Sequence, residues 1–74
     1  MSSYFFTCGQ CHIHRINGAV WDKNSVLQVN AKSEEAAREK VFSLAGPKWS
    51  MCYGPDDIKM EYYTNGICAI ITVK

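Results

Sequence analysis

Val26-Leu27-Gln28-Val29-Asn30-Ala31-Lys32-Ser33-Glu34-Glu35-Ala36-Ala37-Arg38-Glu39-Lys40-Val41-Phe42-Ser43-Leu44-Ala45-Gly46-Pro47 changes its period partway along. Up to Ala31 it alternates, with Leu27, Val29 and Ala31 on one side and Gln28 and Asn30 on the other, which is the pattern of a half-buried strand. From Ser33 the pattern becomes helical. Ser33 suits an N-cap, and Glu34 and Glu35 put negative charge on the first turn, where the helix dipole favours it. Ala37, Val41 and Leu44, with Ala45 beside them, make an apolar stripe, and Glu34 and Arg38 form an i,i+4 ion pair. Gly46-Pro47 ends the helix at about Leu44, and Phe42 falls off its stripe.

Upstream, residues 4 to 16 are rich in aromatic and β-branched types and contain no proline, as a strand requires. The alternation slips in the middle. A bulge at Gly9 keeps Phe6 and Cys8 on the core side, brings Cys11 and Ile13 back to it, and turns His12 and His14 outward. Asn17-Gly18 is a two-residue hairpin signal, and Asp22-Lys23-Asn24-Ser25 is a second turn. Two arrangements fit this region: a tight hairpin at Asn17-Gly18, or a long excursion from Arg15 to Asn24 with Trp21 at its tip.

Downstream, Lys48 to Pro55 reads as a loop, followed by strands over 57–64 and 67–73 joined by Asn65-Gly66. Ile58, Met60 and Tyr62 then oppose Lys59, Glu61 and Tyr63, while Ile67, Ala69, Ile71 and Val73 face the core. The expected fold is a single α+β domain over residues 1–74: an antiparallel sheet of four to five strands in ββαββ order, with one helix packed on one face.

Composition narrows the function classes. A chain of 74 residues has room for one core, and 47% apolar with 20% charged residues is ordinary globular usage. The eight Lys and Arg are scattered against seven acidic residues, which argues against nucleic acid, since phosphate binding needs clustered cations. The N-terminus has no secretory pattern and the longest apolar run, Ile67 to Ile71, is too short to cross a bilayer. The expectation is a cytoplasmic protein with reduced cysteines and no membrane partner.

Cys8-Gly9-Gln10-Cys11-His12 matches the haem-attachment pattern, but that attachment occurs outside the cytoplasm and the motif falls in an expected strand. No cofactor is expected. Cys8 and Cys11 have the spacing of half a zinc site, with His12 and His14 beside them and Cys52 or Cys68 to add a ligand; against this, Cys52 and Cys68 are isolated, and a buried thiol is the ordinary role of such residues. His12 and His14 lie two apart on one strand face and read as a solvated pair or as partner contacts. No phosphate loop or nucleophile elbow is present in the sequence.

Trp21, Phe42, Trp49, Tyr53 and Tyr63 fall off the expected core faces or in loops, and Trp and Tyr are the types enriched at interface hot spots. The structural alternative is that Trp49 and Tyr53 fold back as a lid on the core. The stretch Val29 to Lys40, a strand passing through Ser33 into an acidic, alanine-rich helix, resembles small accessory proteins of bacteriophages and prophages, anti-CRISPR proteins among them in general design. The resemblance carries over no functional residue. The aromatic set leads to the expectation of a non-enzymatic protein-binding module with Trp21, Trp49, Tyr53, His12 and His14 at the partner surface, and the resemblance adds the narrower expectation of a phage-encoded inhibitor of a host or defence complex. The alternatives are a zinc domain using Cys8, Cys11 and His12, or a small ligand-binding protein. Unprotected sheet edges add the expectation of a homodimer paired edge to edge.

Overall fold

The computed structural model describes residues 2–9, 13–16 and 18–73. In chain order the elements are β1 (Ser2–Thr7), β2 (His14–Ile16), β3 (Ala19–Trp21), β4 (Ser25–Ala31), α1 (Glu34–Ala45), β5 (Cys52–Tyr53), a 3-10 turn (Met60–Tyr62) and β6 (Gly66–Thr72). The class is α+β, as expected, but the sheet is mixed. Its order is β5-β1-β4-β6, with β1 antiparallel to β4 and β5, and β6 parallel to β4. β2 and β3 form a separate two-stranded sheet.

Two expectations are corrected here. The ββαββ order fails because 57–64 is a turn and one 3-10 turn, and the antiparallel sheet fails because β6 lies alongside β4 in the same direction. The physical reason is visible in β6 itself. Ile67-Cys68-Ala69-Ile70-Ile71 is continuously apolar, which suits a strand paired in parallel beside the central one better than an alternating hairpin arm. The Asn65-Gly66 signal still makes a turn: Gly66 takes φ of 66° and its N–H donates to the Tyr63 carbonyl at 2.9 Å. That turn launches β6 without pairing it to what precedes it.

The helix follows its sequence signals closely. Ser33 Oγ accepts from the Ala36 N–H at 3.2 Å, and Gly46, at φ 63° and ψ −143°, donates its N–H to the Phe42 carbonyl. Ala37 and Val41 are buried against Leu27, Val29, Ala31 and Phe6 on one face of the sheet. Phe42 is exposed, as its position off the stripe implies; Leu44, expected in the stripe, is 40% exposed instead, and the helix packs on the core through Ala37 and Val41 with Ala36 and Ala45 beside them.

Both turn signals between residues 16 and 25 are used. Ile16 pairs with Ala19, so β2 and β3 form a hairpin, with Asn17 of the expected turn outside the described residues, and the Ser25 N–H donates to the Asp22 carbonyl at 3.2 Å to lead into β4. Trp21 therefore does not stand at a tip. It is fully buried in the core with Ile16, and its Nε1–H donates to the Phe6 carbonyl at 3.2 Å. Gly9, at φ 78°, marks the point where the chain leaves β1 for the hairpin, so the expected continuous strand is two strands in two sheets. Phe6 and Cys8 are buried as predicted, whereas Ile13 is 73% exposed and leaves the core side. Cys11 lies outside the described residues.

A register shift between Val26 and Leu27 places Ile67 opposite Val26 and Ala69 opposite Leu27, leaving Cys68 as the extra residue of a bulge. Ala69, Ile71 and Val73 then pack on the helix-side core, while Ile67 and Ile70 turn to the other face and are exposed. That second face carries Ser3, Gln28 and Asn30 in a hydrogen-bonded group, with Ser3 Oγ donating to Asn30 Oδ1 at 2.8 Å and Gln28 Nε2 at 3.0 Å from the same oxygen.

Candidate functional site

β5 sits at one edge of the sheet and β6 at the other, so residues 54–65 must travel between the two edges. They do so past the end of the sheet where β1 finishes and β4 begins. Tyr63 lines a cleft with Thr7, which by register lies with Val26 of β4 on the face away from the helix, and the Asn65 N–H donates to the Asn24 carbonyl at 2.8 Å. Tyr53, opposite Phe5 in the β1–β5 pair, lies on the same face. β5 is held there by Thr7: its N–H donates to the Met51 carbonyl at 2.9 Å, its carbonyl accepts from Ser50 at 2.7 Å, and its hydroxyl accepts from the Met51 N–H at 3.2 Å.

Three tyrosines thereby converge. A cleft of about 190 Å³ is lined by Tyr53, Tyr62 and Tyr63 together with Asp57, Ile58 and Lys59. A second, of about 330 Å³, shares the three tyrosines and runs on past Thr7, Lys23 and Met51. Tyr62 is 68% exposed and Met51 half exposed. Burial, and then the neighbouring Tyr53, push the Tyr63 hydroxyl above its ordinary pKa, so that hydroxyl stays protonated at neutral pH. Neither cleft is lined by a histidine or cysteine among the described residues.

The other expected site residues are dispersed. Trp49 is half-buried, its ring edge-to-face with Phe6 at 5.1 Å between centroids, and the Arg38 guanidinium lies 5.5 Å from the Trp49 ring centre while its Nε donates to Glu34 at 2.9 Å. Trp49 is a lid on the core clamped from the helix side, the structural alternative weighed for it. His14 Nε2 donates to the Lys48 carbonyl at 2.7 Å, and its ring lies 5.5 Å from that of Trp21, which ties the small hairpin to the loop after the helix. His12 lies outside the described residues. Of the expected partner residues that are described, Tyr53 alone lines the tyrosine clefts.

The three described thiols are poor nucleophiles. Cys8 is fully buried, and burial first, then Asp22 and Cys68, push it up to about 11. Burial raises Cys52 and Cys68 as well, so all three stay protonated at neutral pH. Among the described residues no three Cys, His, Asp or Glu side chains gather as metal ligands, and Cys11 and His12 of the zinc alternative lie outside them. No helix among the described residues is long and apolar enough to cross a membrane.

Sequence reasoning missed Tyr62 and Met51. Tyr62 was assigned to a core-facing strand position, and the signal that corrects this is the continuous apolar run of β6, which removes the hairpin partner from 57–64 and frees that segment to pass the end of the sheet. Comparison with protein-family models, with curated proteins and with solved structures finds no match.

Proposed function

We propose that this chain is a non-enzymatic protein-binding module that receives an extended segment of its partner across Tyr53, Tyr62 and Tyr63. The observation that carries the reading is the meeting of these three rings between two adjoining clefts beside the end of β1. Tyrosine offers a large flat contact with a polar tip and few rotors to immobilise, which is why it recurs at binding hot spots. Met51 at the rim adds an adaptable apolar contact. Trp21 leaves the partner surface and becomes part of the scaffold.

The narrower reading, an inhibitor carried by a phage against a host or defence complex, rests on the strand-to-helix stretch Val29 to Lys40 alone. The tyrosine site fits it and equally fits other protein-binding roles.

Selection of a displayed random-peptide library on the immobilised protein tests the module directly. Peptides are expected to be enriched whose binding shifts the resonances of Tyr53, Tyr62 and Tyr63, and whose affinity falls about tenfold or more in Tyr62→Ala. Because Tyr62 is exposed, this variant should keep the wild-type circular dichroism. Peptides that bind Tyr62→Ala as tightly as the wild type, or no enrichment at all, would remove the proposal.

A further inference from the structure

The two edges of the four-stranded sheet are built differently. β5 is two residues long and runs straight into Gly54-Pro55-Asp56-Asp57, so a short strand, a proline and two charges blunt that edge. β6 has seven residues, Gly66 to Thr72, without a charge or a proline, and no strand among the described residues pairs with its outer side. β3 approaches β6, yet it pairs only with β2. Ile67 and Ile70 stand exposed along the same strand, Ile70 at 60%. An uncharged edge of this length is a template for another strand, and sequences that keep such an edge bare usually place a lysine or proline on it.

We propose that the outer edge of β6 pairs antiparallel with β6 of a second copy about a two-fold axis, joining two four-stranded sheets into one of eight strands. Three observations select a second copy as the occupant. With no charge anywhere in β6, laying the strand against itself sets no like charges together, and a net charge of +1 gives little long-range repulsion. A two-fold axis perpendicular to the sheet keeps each face on its own side, so Ile67 and Ile70 of both copies come onto one continuous apolar strip. The joined sheet then ends at β5 on both sides, the edge already blunted, so pairing closes at two copies. This surface is distinct from the tyrosine clefts, and either proposal can fail without the other.

Sedimentation of the full chain from micromolar to millimolar concentration, with hydrogen exchange on the same samples, tests it. The expected result is a species of twice 8.4 kDa and β6 amides that exchange more slowly as concentration rises, while α1 amides do not change. Ile70→Lys, which places two lysines in one strip, should sediment as a monomer with unchanged circular dichroism. A wild type that stays at 8.4 kDa throughout, leaving β6 to a strand of some other protein, overturns the proposal. So does a folded Ile70→Lys that still dimerises, or association beyond two copies. If Ile70→Lys does not fold, the concentration dependence of wild-type β6 exchange decides alone, and its absence counts against the dimer.

Discussion

Cys8 is surrounded by core side chains, and burial holds its thiol protonated to about 11, against 9.0 for the exposed group. In the unfolded chain the same thiol ionises near 9.0, so between about pH 9 and 11 the unfolded state has lost a proton that the folded state keeps. Stability is therefore retained below pH 9 and falls as pH rises through that window, by at most about 2–3 kcal/mol from this residue. Cys52, Cys68 and Tyr63 are raised too and act with the same sign. Urea titrations across the window should show the midpoint falling, and Cys8→Ala should show a shallower fall than the wild type whatever its stability at neutral pH. Equal slopes would mean that the folded protein lets Cys8 ionise. Single residues were legible from sequence where alternation was clean: Leu27, Val29 and Ala31 are buried as their spacing requires. Trp21 was not legible, because a turn on each side of it allowed both a tip and a core position, and the choice depends on the Phe6 carbonyl supplying an acceptor for its indole.

Helix α1 was readable nearly to the residue because its signals are local. A cap acceptor, acidic first turn and terminal glycine each act within a few positions of the chain. Ser33→Ala removes the acceptor for the Ala36 N–H and should cost about 1 kcal/mol, measured as a lower urea midpoint with unchanged m-value. A loss below a few tenths of a kcal/mol would show that water replaces the cap without penalty. β6 was harder, since its pairing partner is decided forty residues away in sequence, between Val26 and Ile67. Asn65-Gly66 specifies a turn and no more. Whether the following strand folds back on residues 57–64 or crosses to β4 is set by which pairing buries Ala69, Ile71 and Val73, a non-local competition that turn chemistry does not report. The candidate site inherits this difficulty. Tyr53 and Tyr63 could be singled out as aromatics without a core face, but their meeting with Tyr62 follows only once 54–65 passes the end of the sheet.

At the scale of the whole molecule, 74 residues imply a stability of only about 4–11 kcal/mol. In the mixed sheet β4 is central, with β1 and β6 on its two sides; β6 supplies Ala69 and Ile71 to the helix-side core, and Val73 follows directly after it. Their burial, at roughly 0.8 kcal/mol per CH₂ removed from water, amounts to several kcal/mol even when partial. Removing β6 also strips β4 of its parallel neighbour and opens the core beside Leu27 and Val29. A chain ending at Asn65 should thus fail to fold as a unit, giving a disordered circular dichroism spectrum and no cooperative urea transition, because the core cluster then loses the covering of Cys68, Ala69, Ile71 and Val73. A truncated chain that still unfolds cooperatively would mean that β6 is an accessory to an independent core, and the seven-residue edge it offers to a second copy would then be dispensable to the monomer.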